Sequence, residues 1–162
     1  MYASAMEFLE EEHEAWAPFE ALIDLSDVDL DRPGHPDDPT HGWSARDLLG
    51  HLVAWQQHAL DVARELAVGG SSPTKTRMDD EWQSRGDEVN DDFLARWRAM
   101  DHDQVRHLAR SVPGELRGTL TVVPEARWIK DAEMLEFFYE ETIEHYQDHH
   151  DELAAILADP DR

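Results

Sequence analysis

The sequence predicts an all-α protein, a four-helix bundle, and three observations carry that prediction. Apolar residues recur at three- and four-residue steps over long stretches, proline- and glycine-rich segments separate those stretches, and serine or aspartate stands at several of their starts. No internal repeat, sustained heptad register or low-complexity tract competes with this pattern.

The first helix is expected from Ala3 to about Ile23, where Met6, Leu9, Trp16, Phe19, Leu22 and Ile23 keep helical spacing. Pro18 lies late in it and should kink or reset it, because proline has no amide donor and clashes with the preceding turn. Leu25 to Gly42 carries Pro33, Pro36, Pro39 and several aspartates, a composition that reads as a surface loop. Ser44 then caps a second helix running to about Val68, with Asp47 three residues on completing a capping box at the positive end of the dipole. Gly69 to Pro73 reads as a flexible polar linker. Helical character returns from Glu81 to Met100, and Asp101 can cap a further helix carrying Val105, Leu108 and Val112. Pro113-Gly114 is expected to interrupt that third helical region, and the β-branched run Thr119 to Val123 offers a short extended piece as the alternative to its continuation. Asp131 caps the last helix, expected to be the longest, with an inward stripe that includes Leu135, Phe138, Thr142, His145, His149 and Leu153.

The 162 residues suit a single domain over 1–162, and 41% hydrophobic composition is enough for one contiguous core. There is no cysteine, which excludes disulfides, thiolate metal sites, cysteine nucleophiles and iron–sulfur clusters, so a metal site must use His, Asp or Glu. Acidic residues number 37 against 14 basic ones, a net charge of −23 that disfavours nucleic acid and anionic membrane surfaces as partners; it reads most simply as a strongly solvated surface, with a preference for cationic or neutral ligands as the functional alternative. Met1 to Glu12 is acidic and lacks the basic and apolar regions of a secretory signal, and no apolar run approaches the ~18 residues of a membrane span. A cytoplasmic location is expected.

His145 and His149 are four apart on the last helix, so both imidazoles can face a common ion, with Glu141 one turn earlier on the same stripe. His51 lies two turns into the second helix among Leu48, Leu49, Leu52 and Val53, where its ring nitrogens need a partner, either a metal or a carboxylate. Trp55 and His58 share its face and so can line a pocket there; the simpler reading makes Trp55 ordinary core and His58 a boundary residue. Trp43 and Trp128 read as packing anchors at helix entrances, positions from which tryptophan can also stack on a ligand. His13, His35, His41, His102, His107 and His150 sit in polar surroundings and read as surface. The pairs Asp37-Asp38, Asp79-Asp80 and Asp91-Asp92 read as solvated, and no phosphate loop, nucleophile elbow or Ser/His/Asp order stands out.

The string from Trp43 through Ser44, Asp47, Leu48, Leu49, His51 and Leu52 to Trp55 resembles the "WSxxDLLxHLxxW" signature of the DinB-like superfamily. Glu144-His145-Tyr146 with His149 resembles its closing "HYxxH" segment, and the resemblance covers nearly the whole chain. Trp82 and Asn90 through Trp97 fall where the ClbS/DfsB-type branch has its tryptophan- and asparagine-containing segment. The resemblance implies a DinB-like four-helix bundle with a divalent metal, zinc or nickel, held by His51, His145 and His149; some branches use a frame equivalent to Glu141 and His145, and others lack the metal. Three protein ligands leave positions open for water or a substrate atom, and an ion so placed can lower the pKa of bound water to about 7 or hold a thiolate. The implied function is a metal-dependent thiol transferase or hydrolase acting on a small molecule. Because the chain has no cysteine, a thiol would arrive as a cofactor such as mycothiol, bacillithiol or glutathione. Two other classes compete: a metal-free protein of ClbS/DfsB type that sequesters or detoxifies a reactive metabolite, and a module that pairs with itself, since DinB-like proteins often form homodimers. His/His/His ligation does not choose the metal, and the substrate depends on cavity shape.

Overall fold

The computed structural model describes residues 2–159, so the outermost residues of the expected 1–162 domain, Met1 and 160–162, lie outside the described residues. The described chain is helical throughout, with no strand; Pro33 and Ser44 form one isolated β-bridge. None of its helices is long and apolar enough to cross a membrane.

Helix α1 (Ala5–Trp16) starts where the Ser4 hydroxyl accepts from the Glu7 amide. Pro18 resets the chain into a 3₁₀ turn, Ala17–Phe19, before α2 (Glu20–Ile23), as the proline predicts. The stretch expected to be a loop contains one helical turn, α3 (Asp27–Asp31): Ser26 accepts from the Asp29 amide, and Leu30 is buried beneath it. Helix α4 (Ala45–Val68) opens on the expected Ser44–Asp47 capping box and, at 24 residues, is the longest uninterrupted helix.

The next region departs from expectation. Ser72 caps the Lys75 amide and Pro73 takes the first helical position, where its missing donor costs nothing, so α5 (Pro73–Arg85) begins eight residues before Glu81. Gly86, at φ 53°, then turns the chain into α6 (Glu88–Arg98), dividing what the spacing presents as one helix. Helix α7 (His102–Leu120) opens on a capping box between Asp101 and Gln104 and runs straight through Pro113. One lost backbone hydrogen bond does not outweigh a core face made of Val105, Ala109, Val112, Leu116 and Leu120, and no extended piece forms at Thr119–Val123.

A 3₁₀ turn, Glu125–Arg127, leads to Asp131, which caps the Met134 amide as expected. The last helix is not one regular element. It runs as α8 (Ala132–Tyr139), a π turn at Glu140–Glu144, α9 (His145–Asp148) and α10 (His150–Ala158). Inside the π turn the Thr142 hydroxyl donates to the Phe138 carbonyl at 2.5 Å, a side-chain competitor for the helical ladder. His149 lies between α9 and α10 at φ −103° and ψ 11°.

Four long stretches close a ring: α1–α2, the segmented last helix, α4, and α7 returning to α2. Phe8, Phe19, Leu52, Leu116, Trp128 and Phe138 are among the buried side chains inside it. Helices α5 and α6 stand outside the ring against α4. Their hairpin leaves a gap over the face of α4 that carries His51, Trp55 and His58.

Candidate metal centre

His51, His145 and His149, predicted as a set from sequence, are brought together by α4 and the two sides of the α9 start and end. One ligand-capable atom from each lies within 4.8 Å of the others. His51 Nε2 and His145 Nε2 are 2.8 Å apart, and the His51 ring lies edge-on to both partners, at 4.7 Å from His145 and 4.8 Å from His149. His149 sits at the junction of two helical segments, in a sparsely populated backbone region where site residues are often found.

The electrostatics keep this cluster ready to ligate. Burial, reinforced by the neighbouring His149, pushes His51 down to about 3, and burial with the two flanking histidines pushes His145 down to about 2. Both rings are therefore neutral at physiological pH, the form in which imidazole ligates. His149 Nδ1 lies 3.0 Å from Glu152 Oε1, the kind of carboxylate contact that fixes tautomer and ring orientation and leaves Nε2 for an ion. Trp43, expected as an entrance anchor, packs on the cluster: its ring is near-parallel to His149 at 6.2 Å and lies 5.2 Å from His51. Buried His51 Nδ1 has no hydrogen-bond partner among the described residues. The three residues could hold a metal ion: three imidazole nitrogen donors, two of them held neutral by burial, no cysteine, and one donor already braced by a carboxylate.

The cluster opens on a cavity of about 810 Å³ between α4, α5, α6 and the last helix. Trp55 and His58 both line it, so neither is simply core or boundary. Trp55 Nε1 donates to Asn90 Oδ1 at 2.9 Å, and its ring meets Trp82, Phe93 and His58 edge-on. His58 is 6% exposed and its nitrogens bond to nothing among the described residues; burial pushes it down to about 4. Glu141, the alternative ligand, lines the same cavity, and burial, with Glu140 beside it, pushes its carboxyl up to about 8.

Sequence reasoning missed the opposite wall. Lys75, Met78, Asp79 and Gln83 reach the cavity from α5, a helix with no buried residue and hence no apolar stripe to mark its inner face. Asp79, read as solvated, stands there paired to Lys75 at 2.8 Å. Of the six histidines read as surface, His102 is half-buried against Asp31 at 2.8 Å, and the other five are exposed. Trp128 is the expected anchor, edge-on to Phe8 at 5.4 Å and to Phe138 at 5.8 Å.

Comparison with curated proteins and with solved structures finds no match. A family model of the DinB superfamily matches residues 13–153, a span that includes all three clustered histidines and the helices that present them. The chain belongs to the DinB superfamily.

Proposed function

We propose that this protein is a metal-dependent enzyme acting on a small molecule, by thiol transfer or hydrolysis, with His51, His145 and His149 as ligands to one divalent ion, zinc or nickel. The observation that carries the reading is the convergence of three imidazoles, two of them held neutral by burial, beside a cavity of small-molecule size. A bound ion there would supply Lewis-acid activation of a water or of the sulfur of a small thiol cofactor. Glu152 orients His149, Trp43 walls the cluster from one side, and Trp55, Trp82 and Phe137 offer apolar faces that would hold a substrate and exclude water. Glu141, carrying its proton up to about pH 8, is placed in the same cavity to donate to a leaving group.

The test is elemental analysis of the tag-free protein beside His51→Ala and His149→Ala. About one zinc or nickel per chain, lost in both variants while far-UV circular dichroism stays helical, is the expected result. Unchanged occupancy in the variants, or no metal after supplementation, overturns the assignment. A second reading, a metal-free protective protein of ClbS/DfsB type, is favoured by Trp82 and Asn90, the residues of that resemblance, both lining the cavity. Retained small-molecule turnover or capture after exhaustive chelation would select it.

A further inference from the structure

The cavity carries a charge pattern that the metal does not explain. Its lining includes six carboxylates, Asp79, Glu133, Glu136, Glu140, Glu141 and Asp148, against one permanent cation, Lys75. Lys75 shows how the wall holds an ammonium: its Nζ lies 2.8 Å from Asp79, 3.4 Å from Glu133 and 5.5 Å from the centroid of the Phe137 ring. That cation answers two of the six. Glu136, Glu140, Glu141 and Asp148 pair with no lysine or arginine among the described residues. Burial, reinforced by Glu140 and Asp79 beside it, displaces the Glu141 carboxyl upward, so the charge of the wall rests on the other carboxylates.

An acidic wall alone is a solvated surface; His58 makes this one a site. It is 6% exposed, lines the cavity and hydrogen-bonds to nothing among the described residues. With no protein partner among them, its ring nitrogens are left to whatever occupies the cavity, water or a ligand. Its neutral imidazole can accept a hydrogen bond from an N–H group. Around it the aromatic faces of Trp55 and Phe137 lie edge-on at 5.8 and 5.6 Å, and Trp82, 42% exposed, stands against Trp55. His58 is seven residues from His51 on α4, roughly 10 Å along the helix, so one small ligand can span from this pocket to the histidine cluster.

We infer that the cavity selects a small organic ammonium ion, its N–H groups taken by His58 and the unpaired carboxylates of Glu136, Glu140 and Asp148, and its apolar body by Trp55, Trp82 and Phe137. This deepens the small-molecule reading above by naming the substrate class, and it shares that reading's cavity but not its metal. Lys75 is then a resident competitor for the same wall.

Three ligands of one shape and different charge decide the question: phenethylammonium, 2-phenylethanol and 3-phenylpropionate, titrated against tryptophan fluorescence at neutral pH. The cation is expected to bind about tenfold or more tighter than the alcohol, with the anion weakest. Glu140→Gln should cut the cation's advantage at least about threefold, and Lys75→Met should strengthen cation binding by a similar factor. Equal affinity of cation and alcohol, preference for the anion, no saturable cation binding, or weaker cation binding in Lys75→Met each overturn the inference. Running the series on His51→Ala as well separates the two readings. Loss of metal with the cation preference intact leaves the ammonium site standing by itself, whereas metal retained in the parent without any cation preference removes the ammonium site alone.

Discussion

His58 titrates in a window that can be isolated by substitution. Its folded value, pushed down to about 4 by burial, lies below the ordinary 6.5, so the unfolded chain binds more protons between those values. The stability this contributes is fully present above about pH 6.5 and is lost as pH falls towards 4, at up to about 1.4 kcal/mol per pH unit. Glu141 acts with the opposite sign, its raised value favouring the folded state as pH falls from about 8, but it is common to parent and variant. Urea denaturation of the metal-free chain and of His58→Phe should therefore show the variant gaining about 1–2 kcal/mol on the parent between pH 7 and pH 5. A difference independent of pH would mean that His58 is not buried neutral. At this scale spacing offered candidates, His145 and His149 by their four-residue step and His51 by its apolar neighbours, and the resemblance to the DinB-like signature joined them into one set. The sequence was silent on Lys75 and read Asp79 only as solvated, because the helix that carries them buries no side chain and so has no periodic signature.

The elements were legible where the signal is local. Ser44, Asp101 and Asp131 cap as their spacing implies, and Pro18 resets the first helix. Expectation failed where distant packing decides. Pro113 lies inside α7 because four turns of apolar contact hold the helix on either side of it, and the π turn before His145 follows from one threonine hydroxyl that periodicity does not register. Arginines close helix ends from elsewhere in the chain: Arg46 donates to the Met100 carbonyl beyond α6, Arg106 to Ile23 and Leu25 beyond α2, Arg127 to Leu66 in α4. Two helical glycines test the same distinction. A Cβ on Gly50 would stand 2.2 Å from the Trp97 ring, whereas one on Gly114 meets nothing within 4 Å. Helix propensity predicts that alanine stabilises both by about 1 kcal/mol. Packing predicts instead that Gly114→Ala stabilises by about 0.5–1 kcal/mol while Gly50→Ala destabilises by about 1–3 kcal/mol. Thermal and urea unfolding of the pair would show it, and a stabilised Gly50→Ala would mean that Trp97 is not fixed against α4.

Across the whole molecule, one buried polar network touches all four long stretches. Glu12 on α1 accepts from Tyr146 on α9 and from Arg117 on α7, each at 2.8 Å, and Gln56 on α4 donates to the Tyr146 hydroxyl at 2.7 Å. Glu12 is 1% exposed and Tyr146 fully buried; burial pushes the Glu12 carboxyl up, against the pull of the Arg117 guanidinium. Among the acidic residues from Glu10 to Glu14, Glu12 alone falls on the stripe between Leu9 and Trp16, a spacing that places it on the inner face while the closed ring supplies its partners. Tyr146 directly follows His145, so the network also holds the last helix in the register that presents the histidine cluster. Arg117→Met leaves a buried carboxylate without its cation and should cost about 3–5 kcal/mol, whereas Glu12→Gln added to it removes that charge and should recover at least about 1 kcal/mol. Urea denaturation around this double-mutant cycle measures the coupling, and strictly additive costs would show that Glu12 and Arg117 do not act as a pair. Tyr146→Phe separates the two roles, because it keeps the ring in the core while leaving the Gln56 amide without its acceptor and Glu12 with Arg117 alone. It should destabilise by about 1–3 kcal/mol and, if the network sets the register of His145, weaken metal retention in a chelator titration under fully folded conditions. Unchanged metal affinity in that variant would confine the network to holding the bundle together.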